Sequence, residues 1–156
     1  MSRWMFVLVI LVGCFLIGCS NNDNEMTDGK PPKVWLQIGN EKYETKLGTY
    51  CWKETNKARC VDTVGPVKLL EGKDPIKVKP GETISFLMDY EPKPTEFTVE
   101  QFMNNKVSDI EIIDNEIKAP MKKGIYYYSY GVRWTDEKDS NMSKGDASYA
   151  FVIEVE

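Results

Sequence analysis

An all-β fold, an antiparallel β-sandwich, is the architecture this sequence predicts, and three observations predict it. Apolar and polar residues alternate with period two in several runs, as they do on strands with one buried face. β-Branched and aromatic residues dominate those runs. Gly, Pro, Asn and Asp separate them, and helical spacing is weak throughout.

The first strand reads from Val34, Leu36 and Ile38 alternating with Trp35 and Gln37. Gly39-Asn40 then turns the chain into Tyr43-Glu44-Thr45. A short strand Ile76-Lys77-Val78 precedes the turn Lys79-Pro80-Gly81-Glu82. After it, Ile84, Phe86, Met88 and Tyr90 share one face of a strand, and Thr83, Ser85 and Asp89 share the other. Phe97 and Val99 alternate with Thr98 and Glu100, and Phe102-Met103-Asn104-Asn105 reads as a short turn of helix. Asp109-Ile110-Glu111-Ile112-Ile113 reads as a strand ending at the turn Asp114-Asn115. Lys123-Gly124 opens the longest strand, where Tyr126, Tyr128, Tyr130, Val132 and Trp134 face the core. Tyr127 is the aromatic expected outside, beside Ser129 and Arg133. The polar stretch from Asp136 to Gly145 forms a long hairpin loop. The final strand then sets Tyr149, Phe151, Ile153 and Val155 on one side. This ending is similar to the closing hairpin of immunoglobulin-like and fibronectin-like domains, which implies a single immunoglobulin-like sandwich.

The chain begins with an address. Arg3 is followed by the apolar run Trp4–Val12, then by Leu16-Ile17-Gly18-Cys19 and the polar run Ser20–Glu25. A basic start, an apolar stretch and small residues at a cut point make a secretory signal. The apolar stretch is about fifteen residues, short of the roughly twenty needed to span hydrocarbon. Leu16-Ile17-Gly18-Cys19 resembles the lipobox of bacterial lipoproteins. The resemblance implies that Cys19 carries a diacylglycerol, becomes the first mature residue, and holds the protein to the outer face of the cell membrane, with a palmitate-type acyl chain adding to the grip. Residues 1–18 are then the signal peptide, 19–32 the lipidated Cys and a flexible tether ending at Pro31-Pro32, and 33–156 one ordinary domain.

Cys51 and Cys60 are an even pair in an exported chain, which reads as a disulfide. Closing a loop of this size contributes about 2.5–3 kcal/mol in the chain-entropy picture. A redox pair normally has C-x-x-C spacing, and a metal site needs further ligands that a chain without His does not supply. The run Leu47-Gly48-Thr49-Tyr50-Cys51-Trp52, followed by Cys60-Val61-Asp62, resembles a segment of uncharacterised secreted and lipid-anchored proteins of Bacillus-type bacteria. That resemblance implies the Cys51–Cys60 bond and a short helix or loop over Gly65–Leu70, and carries no catalytic residue. Tyr50 and Trp52 share a strand face and Cys51 takes the other. Trp52 then either completes the core at a stapled corner or serves as a recognition tip for a peptide or glycan.

Much chemistry is missing. No His excludes His-based general bases, Ser-His-Asp and Cys-His arrangements and His-ligated zinc. G-x-S-x-G, Walker A, G-x-G-x-x-G and Ser-x-x-Lys are absent. Two carboxylate pairs, Asp89 with Glu91 and Asp114 with Glu116, are spaced for glycoside hydrolysis but sit beside turns. The oxygen-rich loop Asp136–Asp146 lacks EF-hand spacing and is interrupted by Lys138 and Lys144. Net charge is −4 with Lys and Glu interspersed, and no basic stripe suited to nucleic acid is visible.

The function expected is a non-catalytic binding or accessory module of the bacterial cell envelope, with no cofactor and no metal. Its partners are the membrane, through the lipid anchor, and an envelope protein or glycan met by Trp52, Tyr127 and Arg133. The alternatives are a carboxylate-dependent envelope hydrolase, or a sensory or inhibitory domain pairing with a membrane protein or protease through a strand edge.

Overall fold

The computed structural model describes residues 29–54, 57–136 and 142–156. The export segment and Cys19 lie outside the described residues, as does the centre of the Asp136–Asp146 loop. β1 (Val34–Ile38) and β2 (Glu41–Glu44) form a hairpin over Gly39-Asn40, where Gly39 takes φ +57° without penalty. β3 (Lys46–Glu54) and β4 (Lys57–Val61) form a second hairpin. A short helix, α1 (Pro66–Leu69), starts on a proline, whose missing N–H costs nothing at that position. β5 (Ile76–Val78), β6 (Thr83–Met88), β7 (Glu96–Met103), β8 (Lys106–Asp109) and β9 (Glu116–Lys118) follow. The chain closes on the long pair β10 (Gly124–Thr135) and β11 (Ser143–Val155).

These strands make an all-β sandwich of two sheets packed against each other. The first sheet has the order β2-β1-β6-β9, and the second β4-β3-β11-β10-β7-β8. β5 lies beside β11 and is parallel to it. Every other pairing named here is antiparallel.

Alternation decides the core. Val34, Leu36 and Ile38 of β1, Ile84 and Phe86 of β6 and Ile117 of β9 point inward from the first sheet. Tyr126, Tyr128, Tyr130, Val132 and Trp134 of β10 meet them, together with Tyr149, Phe151, Ile153 and Val155 of β11. The aromatic stripe is thus core. Each phenol keeps a polar partner: Tyr126 donates to Lys122 O, Tyr128 to Gln101, Tyr130 to Asn115 and Tyr149 to Pro32 O, at 2.6–3.1 Å. Ala150 and Val152, on the opposite face of β11, are also buried, because Leu70 covers them just beyond α1.

Three local expectations are corrected. Phe102 and Met103 are not helical. They end β7, and Asn104 (φ 51°) and Asn105 (φ 60°) make a two-residue hairpin turn into β8. Such a turn needs two left-handed residues, which Asn supplies readily. The strand expected over Asp109–Ile113 stops at Asp109. Ile113 makes only a bridge to Glu116 around Asp114 (φ 52°) and Asn115 (φ 61°). The closing loop is shorter than expected, since β11 begins at Ser143 and includes Gly145. Gly145 lies between Trp134 and Trp52 in the ladder, and those indoles meet edge to face at 5.0 Å. Opposed residues share a face, so glycine leaves the two rings their space.

Candidate ligand-binding cleft

Thr45 is the corner where the chain leaves one sheet for the other. Its N–H and Oγ1 both donate to Val34 O, at 3.2 and 2.7 Å, which anchors it to β1. β2 therefore ends on the first sheet and β3 starts on the second, leaving an open seam between β2 and β5. A cleft of about 800 Å³ occupies this seam. Leu47, Leu70, Ile76, Tyr149 and Phe151 contribute its apolar lining. Lys30, Lys33, Lys42, Lys46 and Lys73 line it too, against only Glu44 and Asp74. Five cations and two anions thus gather at one place in a chain of net charge −4.

The wall is organised by specific contacts. Lys33 pairs with Glu44 at 2.7 Å and lies 5.8 Å from the centre of the Trp35 ring. The Tyr149 hydroxyl donates to Pro32 O at 2.6 Å, and Pro31 is buried, so the segment just before β1 forms one side of the cleft. Ammonium groups over an apolar lining suit an anionic ligand with an apolar portion. These lysines are exposed, so their field is screened by salt.

A second cleft, of about 850 Å³, lies on the other side of Tyr43. Several of its polar groups are partnered within it. Lys77 pairs with Glu156 at 3.0 Å, and that hydrogen bond raises the lysine above its ordinary pKa. Lys79 N–H donates to Glu82 at 2.7 Å. The Tyr43 phenol is likewise raised by its hydrogen bond to Glu41.

The residues singled out from sequence do not converge here. Cys51 and Cys60 are bonded across the β3–β4 hairpin, with Cα atoms 4.1 Å apart in direct register. Trp52 is fully buried, packed edge-on against Tyr90 and Trp134, so its ring offers no surface to a ligand. Among the described residues its Nε1 has no hydrogen-bond partner. Tyr127 lies on the outer face of the second sheet as expected, yet it is half-buried against the Leu70–Val152 cluster. Arg133 pairs with Glu96 at 3.5 Å on the same face.

Of the carboxylate pairs, Glu91 pairs with Lys93 at 3.3 Å, and Glu116 accepts from Ser85 Oγ at 2.7 Å. Neither pair lines either cleft. Asp136, at the margin of the oxygen-rich loop, pairs with Lys144 at 3.3 Å. The cleft residues themselves escaped the sequence reading. The available signal was weak: four lysines against two glutamates over residues 30–46, with Lys73 far downstream. No protein family matches this chain, and no curated protein or solved structure shows significant similarity to it.

Proposed function

We propose that this chain is a lipid-anchored, extracytoplasmic lipoprotein of the bacterial cell membrane that works as a non-catalytic binding module. The lysine-rich cleft between β2 and β5 is the observation that carries the binding role, and it favours an anionic envelope ligand. The address rests on the apolar leader and Leu16-Ile17-Gly18-Cys19. The Cys51–Cys60 bond is compatible with an extracytoplasmic location. The order β1-β6-β9 in one sheet and β8-β7-β10-β11 in the other, with β5 parallel on β11, supports an immunoglobulin-like topology for the sandwich.

Two measurements test this. Cys19→Ala moves the protein out of the membrane fraction; unchanged retention defeats the anchor. A photo-crosslinker placed at Lys73 in growing cells captures an envelope component, and Lys46→Glu reduces the yield. A yield no greater than from a crosslinker at Val107, which lies away from the cleft, defeats the binding site.

A further inference from the structure

Among the described residues β2 ends the first sheet with one edge unpaired, and the geometry points to a second copy of this chain as the strand that completes it. The phase of β2 is set by Thr45, whose N–H donates to Val34 O. Antiparallel ladders alternate, so Tyr43 and Glu41 also turn their backbone groups toward β1, where they face Leu36 and Ile38. Lys42 and Glu44 therefore present their N–H and C=O groups outward. Among the described residues, no backbone bond outside the strand ladders reaches either of them.

A two-fold axis perpendicular to the sheet joins two such edges into one continuous antiparallel sheet. It keeps each side chain on its own face, so a residue meets itself or one an even number of positions away. Three registers then use the outward groups of Lys42 and Glu44. Centring on Lys42 sets that lysine against itself, and centring on Glu44 does the same for the glutamate. Centring on Tyr43 sets Lys42 against the second copy's Glu44, and Glu44 against the second copy's Lys42. Both become hydrogen-bonded pairs, so four backbone bonds and two ion pairs form together. Tyr43 meets its own counterpart across the closer, non-hydrogen-bonded position. Glu44 already holds Lys33 at 2.7 Å, and the second copy's Lys42 would approach the same carboxylate.

The other edge of this sheet shows what excludes such pairing. β9 has the same alternation, Glu116-Ile117-Lys118. However, Glu116 exchanges both of its backbone bonds with Ile113, at 3.0 and 3.1 Å, which leaves only Lys118 of β9 with its backbone groups facing outward. Among the described residues β2 carries no comparable cap. Its charges oppose a strand in the wrong register and admit one in the right register. The result is one continuous sheet with four strands from each copy.

Sedimentation equilibrium of the full-length chain, purified in detergent, tests the inference. The unmodified chain dimerises at a concentration of about 0.1 mM or below, and Lys42→Glu and Glu44→Lys each weaken the dimer by about tenfold or more. The double variant Lys42→Glu/Glu44→Lys restores the pairing with its signs exchanged, returning the dissociation constant to within about threefold of the original. Both side chains are exposed, so neither reversal disturbs the core, and an unchanged circular dichroism spectrum confirms that. A monomeric unmodified chain overturns the inference. So does a dimer indifferent to both reversals, or a double variant as weak as either single one.

Discussion

The Tyr130 ring lies flat on Phe86, with 3.9 Å between centroids and 2° between planes, and so joins one sheet to the other. The Tyr130 hydroxyl donates to Asn115 Oδ1 at 3.1 Å. Asn115 in turn donates through Nδ2 to Phe86 O and accepts from Phe86 N–H at 3.0 Å. The β-turn before β9 thereby fastens β6 and β10 at one point, by a ring stack and an amide together.

Phe86→Ala should therefore cost about 3–5 kcal/mol, since it removes a fully buried ring at the contact between sheets. Tyr130→Phe keeps the stack and loses one hydrogen bond, for about 0.5–1.5 kcal/mol. Urea denaturation midpoints compare the two. Equal losses would mean that the hydroxyl, rather than the stack, dominates this contact.

Alkali should unfold the protein. Burial raises the phenols of Tyr128, Tyr130 and Tyr149 above their ordinary value of 10.0. The folded state thus favours the neutral phenol more than the unfolded state does. That contribution is fully present below pH 10.0 and is lost as pH climbs from there toward the raised folded values. Phenolate absorbance from these three should rise together with loss of the strand signal in circular dichroism. Free titration near pH 10.0 with the strands intact would contradict their burial.

Reduction of Cys51–Cys60 should loosen the molecule without dismantling it. The bond staples an edge hairpin, β3 to β4, rather than the two sheets. Its loss costs about 2.5–3 kcal/mol, or about 5–12 °C in Tm. A reduced protein that no longer folds would show that the hairpin carries more of the structure than its place at the edge implies.

Gly131 is held small by its neighbour across the ladder. A Cβ there would come within 2.4 Å of Thr98 Oγ1, its direct partner on β7. Gly131→Ala should destabilise by about 1 kcal/mol, and adding Thr98→Ala should recover most of that loss. Simple additivity in thermal denaturation would rule out the contact as the cause.

Strand identity was legible where period two ran long. Val34–Ile38, Thr83–Met88 and Gly124–Thr135 alternate so regularly that their inward faces could be read directly, and the buried residues lie on those faces. Asn104-Asn105 was misread because short polar residues serve helix ends and left-handed turns alike. Gly145 was misread as loop because its purpose, making space between Trp52 and Trp134, belongs to strands far apart in the chain.

Alternation and turn chemistry are local, so the chain's own order of residues was enough to determine the class of fold, the aromatic core of β10 and β11, and the pairing of two cysteines. Which charges stand together is a different kind of fact. Lys33, Lys46 and Lys73 share a cleft only because Thr45 carries the chain from sheet to sheet and β5 returns alongside β11. Likewise, β2 has an open edge because no other strand among the described residues pairs with it, whereas Ile113 takes up the outward groups of Glu116 on β9. Long-range strand pairing places these groups, and no short stretch of sequence encodes it.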